Sequence, residues 1–499
     1  MIADQRLLTS CGLAPREPGA RHWHPVPQAA LPLFRRAVGG GGDSYAAFYA
    51  PGCLCVVPLA EAEAFEAAAT AGRATGGWAA HLHAAAVRAL AVTRLSADEP
   101  FQPECLTLYL NQACNLHCTY CYADSSAPDS SAPDASDSVA GAGLRPSPSA
   151  VRLDLASIRS AAHLVAANCR EKSLPFYAGL HGGGEPLLDL DLAETVLCLL
   201  DAVAQEHGVQ PFYYVATNGV IPEAAAHWLA GRAHLVGLSC DGPPAIHDSQ
   251  RPSRAGLPTL HAVERTARVL RAAGTRFRVR TTVTPHSLFA LPEIVDDVCR
   301  RLAPGEVHLE PVYSGARGGV SRPLTAADAA TFVAGYLAAR NVAEAHGVRL
   351  TTSGSRLETN HGPYCHVFRQ VLNLVPGGLA TACFKEPTAG AAQSRGVVIG
   401  APDRLAGRFE LDEPRVAALR ARLLKQPARC DACLNRCHCA GDCPDVCRLD
   451  VTDGEDPAPG FRCAMLRTLT AALLDTRAAG LWAQVSAGGA SAPHGTRFS

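Results

Sequence analysis

The chain predicts an α/β protein, a partial (β/α)6 TIM-like barrel with a cysteine-rich C-terminal domain and a small N-terminal α+β domain. Three observations predict it. Six short apolar runs alternate with helical patterns between residues 104 and 325; Cys114, Cys118 and Cys121 follow the first run in a C-x3-C-x2-C spacing; and a second dense set of cysteines lies between Cys365 and Cys463. Strand–helix alternation implies a parallel sheet, and barrels of this kind carry their reactive groups at the C-terminal ends of the strands.

Residues 1–103 form the first expected domain. Tyr45 to Pro58 reads as a hairpin, followed by helical stretches at Ala60–Ala69 and Ala79–Leu90. In size and order this resembles the winged-helix elements that capture a leader peptide by adding a strand to a sheet edge; a structural cap on the barrel is the other reading. Cys11, Cys53, Cys55 and Cys105 include only one C-x-C pair, a weak metal signal. The barrel runs over 104–325, with strands expected at Leu106–Leu110, Phe176–Leu180, Phe212–Ala216, Leu235–Ser239, Phe277–Thr282 and Val307–Val312. Within it, residues 125–150 are rich in Ser, Ala, Pro and Asp and repeat Ser-Ser-Ala-Pro-Asp, which predicts a disordered insertion. A linker helix is expected over 326–350, the cysteine-rich domain over 351–475 and a flexible tail over 476–499.

Composition excludes several classes. The chain has 499 residues, 48% hydrophobic and 18% charged, with a formal net charge of -1. That balance supplies no global attraction to nucleic acid or to an anionic membrane, and no run of about 18 apolar residues is present. Neither nucleic acid nor membrane is expected as a partner. With no signal-like N-terminus, the expected location is cytoplasmic. Twenty cysteines in a reducing compartment are expected as metal ligands rather than disulfides.

The segment Cys114-Asn-Leu-His-Cys118-Thr-Tyr120-Cys121-Tyr122 leaves three thiols for a four-cornered iron–sulfur cube. Zinc sites reach four protein ligands by pairing C-x2-C units or adding histidines, and the next cysteine here is Cys169. With its aromatic Tyr120 before the third cysteine, the segment resembles the radical S-adenosylmethionine (SAM) superfamily. That resemblance implies a [4Fe-4S] cluster whose free iron chelates SAM, and reductive cleavage of SAM to a 5′-deoxyadenosyl radical.

By the same resemblance, Gly183, Gly184 and Glu185 in His-Gly-Gly-Gly-Glu-Pro contact the methionine amino group. Asn218 in Thr-Asn-Gly and Ser239 in Ser-Cys-Asp-Gly-Pro are further SAM contacts, and Arg280 lies near the SAM carboxylate. Asn218 and Asp241 also read as turn formers, since Asn-Gly and Asp-Gly are common turn pairs. Asp241 and Glu310 are the catalytic candidates by location, with His247, Asp248 and Tyr313 beside them.

Farther on, Pro376-Gly377-Gly378 reads as the turn of a hairpin between 371–374 and 379–382. Cys365, Gly378 and Cys383, then Cys430, Cys433, Cys439, Cys443 and Cys463, follow the order of the SPASM extension of radical SAM peptide maturases, which implies two auxiliary iron–sulfur clusters. Carried over, Cys365, Cys383 and Cys443 hold the first and Cys430, Cys433, Cys439 and Cys463 the second. The first set lacks a fourth cysteine. Either its iron is open to substrate, or Cys437, Cys447 or a non-cysteine side chain fills the corner; His361, His366 and His438 are the nearby histidines.

The expected function is a radical SAM/SPASM enzyme that abstracts hydrogen from a ribosomally made peptide or protein and installs a thioether or other crosslink, with a flavodoxin or ferredoxin as reductant. The alternatives are an anaerobic sulfatase-activating enzyme and a non-catalytic iron–sulfur electron carrier. Sulfatase activators tend to place an acidic base directly after the second SPASM cysteine, where this chain has Phe384 and Lys385.

Overall fold

The computed structural model describes residues 23–26, 31–39, 44–72, 77–93, 97–123, 152–313, 322–354, 356–362, 366–441, 443, 447, 449–451, 458–487 and 493–498. The insertion expected at 125–150, as well as Cys11 and Cys365, lies outside the described residues.

The N-terminal domain begins with strands β1 (His24–Pro25), β2 (Phe34–Val38), β3 (Tyr45–Ala50) and β4 (Cys53–Pro58), paired antiparallel in sequence order. Helices α1 (Ala62–Ala71) and α2 (Gly77–Thr93) follow. Strand periodicity divides the sheet cleanly. Ala46, Phe48, Cys53, Cys55 and Val57 pack under the helices with Phe65 and Leu82, whereas Tyr45, Ala47, Tyr49, Leu54 and Val56 face the rest of the molecule.

The barrel elements follow in order. They are β5 (Cys105–Leu108), α3 (Leu155–Glu171), β6 (Phe176–Leu180), α4 (Leu190–His207), β7 (Pro211–Thr217), α5 (Glu223–Arg232), β8 (Leu235–Ser239), α6 (Pro244–Gln250), α7 (Leu260–Ala272), β9 (Phe277–Val283), α8 (Leu291–Leu302) and β10 (Glu306–Pro311). The six strands lie where the apolar runs predict them, in spatial order and parallel. Helix α8 shows why the helices cover them: Leu291, Ile294, Val295, Val298, Cys299 and Leu302 recur at helical spacing on its buried face.

The parallel sheet is wider than expected. Helix α9 (Ala329–Ala345), expected as a linker, packs on α8 and leads into β11 (Arg349–Thr351), which pairs parallel with β10. At the opposite edge, β12 (Val371–Leu374) pairs parallel with β5 and antiparallel with β13 (Ala380–Thr381). The expected hairpin therefore forms, but it also covers the β5 edge, whose main-chain groups would otherwise lack partners. The sheet continues after α10 (Ala389–Ser394) through β14 (Val398–Asp403) and β15 (Arg408–Leu411) to α11 (Glu413–Leu424).

The end of the chain corrects the expectation of a flexible tail. Helix α12 (Phe461–Ala487) runs unbroken past residue 476, and β16 (His494–Arg497) pairs antiparallel with β4. Trp482 stacks on Tyr45 at 5.0 Å, Trp23 Nε1 donates to Asp475 Oδ1 at 2.8 Å, and Arg36 pairs with Asp475. The apolar face of the N-terminal sheet supplies the burial that keeps this helix ordered.

Candidate active site

The loops at the C-terminal ends of the strands converge on a cavity of about 220 Å³. Cys114, Cys118 and Cys121 border it from the loop after β5; Gly182 to Glu185 from the loop after β6; Thr217 and Asn218 from β7; Ser239 from β8; Arg280 from β9; and Glu310 from β10. Tyr120 lines it as well. Apart from Asp241, His247 and Asp248, every barrel residue expected at the SAM site or as a catalytic group borders this one space.

The cysteine loop is fixed from outside. The amides of His117 and Thr119 donate to the carbonyls of Pro252 and Gln250 at 2.9 and 3.0 Å, and the Cys121 amide closes on the Cys118 carbonyl at 3.2 Å. Arg254 Nε donates to the Cys114 carbonyl at 2.7 Å. Burial pushes the Cys114 thiol up to about 12 and the Cys118 thiol to about 11, so as thiolates they call for a cation in the cavity. The three thiols border one cavity, and three thiolates leave one corner of a four-iron cube without a protein ligand.

The glycines in the second loop are dictated by contact. Gly183 has a φ of 71°, and Gly184 donates its amide to the Asn111 carbonyl at 2.9 Å. A Cβ at Gly184 would sit 1.9 Å from the Ala113 carbonyl oxygen, inside the backbone that carries Cys114. Gly184→Ala is therefore expected to push the cysteine loop aside, cost about 1–3 kcal/mol or more and abolish cluster loading at that loop. Iron and sulfide assays with EPR on the variant check this; full loading would show that the loop can yield.

Glu185 is 2% exposed. Its carboxylate accepts from the Asn218 amide at 2.7 Å, the Thr217 hydroxyl at 2.9 Å and the Leu187 amide at 3.2 Å. Burial outweighs those bonds and raises its pKa to about 7. Asn218 plays two parts: its Oδ1 accepts from the Val220 amide at 2.8 Å, and its Nδ2 donates to Asn115 Oδ1 at 2.9 Å while lying 3.7 Å from the Cys114 sulfur. The one side chain thus closes the turn and borders the cavity.

Asp241 requires a correction. It has no exposed surface and does not border the cavity. Its Oδ2 accepts from the Tyr120 hydroxyl at 2.6 Å, Gln250 Nε2 at 2.9 Å and Arg251 Nε at 3.1 Å, and its Oδ1 accepts from the Thr282 amide at 3.0 Å. A carboxylate so occupied is a brace, not a proton acceptor. His247 Nδ1 accepts from the Asp241 amide at 3.2 Å, and Asp248 caps the start of α7 through the amides of Thr259 and Leu260. The His-Asp-Arg segment thus holds the cysteine loop from behind.

Glu310 reaches the cavity, but as a fixed anion. It pairs with Arg462 at 2.9 Å and accepts from Ser353 at 2.7 Å, with His308 Nε2 also at 2.9 Å. Burial alone would raise its carboxyl; Arg462 and His308 hold it well below the usual carboxylate range. Such a group is a weak general base near neutrality.

Tyr313, a candidate in the sequence reading, completes the wall with Tyr122, Phe384 and His181. Tyr122 meets Phe384 edge-on at 6.1 Å, and Tyr313 lies 6.1 Å from Tyr122 and 5.7 Å from Phe384. Tyr122 follows Cys121 and Phe384 follows Cys383, so each aromatic is delivered by a neighbouring thiol. His181 accepts from Arg280 at 3.1 Å, and burial with that guanidinium depresses its pKa to about 3.

A second space of about 520 Å³ inside the barrel shares His181, Glu310, Tyr313 and Phe384 with the first, and it reaches Cys443. Cys430, Cys433, Cys439 and Cys463 line one small cavity of about 40 Å³. The four thiols assigned to the second auxiliary cluster are therefore gathered.

No family model matches the chain. The solved structure of native anSMEcpe with bound AdoMet superposes with a TM-score of 0.56 at 18% identity, covering 76% of this chain and 100% of that one. The chain shares that protein's fold. A structure of the same protein with AdoMet and the Cp18Cys peptide gives a TM-score of 0.55 at 17% identity, over 76% of this chain and 99% of that chain. In sequence, a cysteine-type anaerobic sulfatase-maturating enzyme of Clostridium perfringens (strain 13 / Type A) is 34% identical over 107 residues. That match spans 21% of this chain and 29% of the relative, so the chain matches under a third of that relative's length.

Among the described residues no helix is long and apolar enough to cross a membrane.

Proposed function

We propose that the chain is a radical SAM/SPASM maturase that acts on a ribosomally made peptide or protein and installs a thioether or other crosslink. The observation that carries this reading is the single cavity bordered by Cys114, Cys118, Cys121, the Gly182–Glu185 loop and Arg280, sharing its walls with a barrel lumen that reaches Cys443. A [4Fe-4S] cluster held by the three thiols would supply the electron that cleaves SAM to a 5′-deoxyadenosyl radical. Glu185 would receive the SAM ammonium, with Ser239 and Arg280 placed for its carboxylate and ribose. Asp241 and Arg251 hold the loop at the back, and Tyr122, Tyr313 and Phe384 keep water from the space between the thiols and the lumen.

The relative's activity makes sulfatase activation the second reading. Crosslinking is favoured because Phe384 stands after Cys383 and because Glu310, which borders the cavity together with Glu185, is tied to Arg462. A flavodoxin or ferredoxin in the cytoplasm is the reductant that this reading calls for. The test is anaerobic co-expression with a short peptide encoded beside the gene, followed by mass spectrometry and 5′-deoxyadenosine assay. A mass loss of two hydrogens per event is expected; zinc without sulfide in the purified protein would overturn the reading.

The raised Glu185 pKa gives a pH signature. The carboxylate that pairs with an ammonium is present only above about 7, so SAM affinity should climb by up to tenfold per pH unit towards 7 and then level. Glu185→Gln should flatten that rise and weaken SAM by about 2 kcal/mol. Equilibrium binding of SAM, followed by its shift of the cluster EPR signal from pH 6 to 7.5, checks both.

A further inference from the structure

The lumen of this barrel carries charged and polar groups where a closed barrel is packed with branched aliphatic side chains. We propose that it is a carboxylate-binding subsite for the peptide substrate, with Arg278 as the counter-ion and Asn373 as a second donor. The inference rests on the peptide-maturase reading and goes beyond it by naming the chemistry of the substrate group held there, an acidic side chain or a C-terminal carboxylate.

Strand period carries the arginine inward. Along β9, Phe277, Val279, Thr281 and Val283 are buried, while Arg278 lines the space of about 520 Å³ and Arg280 borders the SAM cavity. At 3.3 Å per residue, Arg278 lies about 6.6 Å deeper than Arg280. Its guanidinium carbon stands 5.0 Å from the centre of the Tyr214 ring. That ring has room because residue 237 is glycine; a Cβ there would sit 2.0 Å from the Tyr214 hydroxyl oxygen. Such a contact positions a guanidinium without consuming its N–H donors.

The carboxylates around Arg278 are already engaged. Glu306, opposite it across the β9–β10 pair, accepts from Thr351 at 2.9 Å and pairs with Arg349. Glu310, the one carboxylate among the described residues lining the lumen, pairs with Arg462 at 2.9 Å. Arg278 Nε is buried and meets no acceptor among the described residues. From the β12 wall Asn373, 3% exposed, lines the same space, and its buried Nδ2 likewise meets no acceptor. Two such donors in one cavity are destabilising when left unmatched and call for a ligand made of acceptors. A carboxylate has only acceptors, and Ala178, Phe212, Leu235 and Val371 beside it suit the methylene stem that carries it. The lumen adjoins the SAM cavity through His181, Glu310, Tyr313 and Phe384, so a residue anchored at Arg278 is held beside the place where the radical would form.

The test uses the full chain, reconstituted anaerobically with iron and sulfide, and three peptide probes. These are acetyl-Gly-Ser-Glu-Ser-Gly-amide, the same peptide with glutamine for glutamate, and the glutamine peptide with a free C-terminal carboxylate. Equilibrium dialysis in the presence of SAM gives their affinities, and 5′-deoxyadenosine formation is assayed separately. One of the two carboxylate peptides should bind at least about tenfold tighter than the capped glutamine peptide, and which one does so identifies the source of the carboxylate. That preference should vanish in Arg278→Met, survive in part in Arg278→Lys and shrink in Asn373→Leu. The thermal midpoints of the Met and Leu variants should hold or rise, because each removes a buried donor without a partner. Equal affinity for the three peptides, or no measurable binding of any, would overturn the assignment. So would a preference untouched by Arg278→Met alongside an altered auxiliary-cluster EPR signal, since Arg278 would then serve as counter-ion to a cluster. Absence of SAM cleavage by the unsubstituted chain with the peptide preference intact would sink the radical SAM reading and leave the subsite standing.

Discussion

Replacing Cys114, Cys118 and Cys121 together with alanine should abolish SAM cleavage, by at least about 10³-fold in 5′-deoxyadenosine formation, while the protein keeps its fold and its C-terminal iron. The reason is spatial separation. The three thiols border the cavity at the strand ends, whereas Cys430, Cys433, Cys439 and Cys463 line a space of their own. Iron and sulfide should therefore fall by one cluster's worth, and the EPR component that shifts with SAM should vanish while the others persist. Removing the thiols creates no unpaired buried charge, so the thermal midpoint of the cluster-free protein should change little. Full SAM cleavage by the triple variant would place the chemistry elsewhere. Loss of all iron would show instead that the clusters assemble as one unit.

Arg251→Ala should have the largest effect on stability. The Arg251–Asp241 pair is buried, with side-chain exposures of 9% and 0%, and Arg251 also lies over the Tyr120 ring at 5.2 Å. Alanine would leave the Asp241 carboxylate in a low-dielectric interior without its cation, which costs about 3–5 kcal/mol. Because Tyr120 hangs from the same carboxylate, the cost should be accompanied by a loosened cysteine loop and faster loss of iron. Denaturant unfolding of the cluster-free chain measures the first effect, and chelator-driven iron release measures the second. Arg251→Ala combined with Asp241→Asn should recover part of the stability, since the buried charge is then gone. If the double variant is as unstable as the single one, the cost comes from lost packing over Tyr120 rather than from the stranded carboxylate.

How much could be read beforehand differs by element. The six barrel strands were legible because strands buried on both faces appear as short apolar runs, and the cysteine spacings located the thiols directly. The role of Asp241 was not legible. A carboxylate at a strand end reads the same whether it faces a ligand or a buried arginine, and only the fold shows that Arg251, Gln250 and Tyr120 surround it. The pairing of β12 with β5 joins residues distant in the chain, which no local pattern encodes. His494-Gly-Thr-Arg497 has Thr496 as its one β-branched residue, fewer strand formers than a typical strand; it pairs because the open β4 edge is presented to it. Tyr122 and Phe384 stood in plain view beside cysteines, yet their meeting depends on two domains closing on each other.

Helix α12 joins matters that look separate along the chain. Cys463 lies in its first turn and Trp482 near its far end, in a single 27-residue element about 40 Å long at 1.5 Å per residue. Cys463, proposed as a ligand of one auxiliary centre, and the anchor of the N-terminal sheet are thus mounted on one rod, and β16 hooks the same rod to the edge of β4. For anyone building chimeras, residues 23–93 are therefore not a detachable cassette. Cutting after residue 93 and grafting another recognition module would strip Tyr45 and Tyr49 from the face that covers the rod. The exchangeable unit is the N-terminal sheet together with residues 461–498, taken from the same parent.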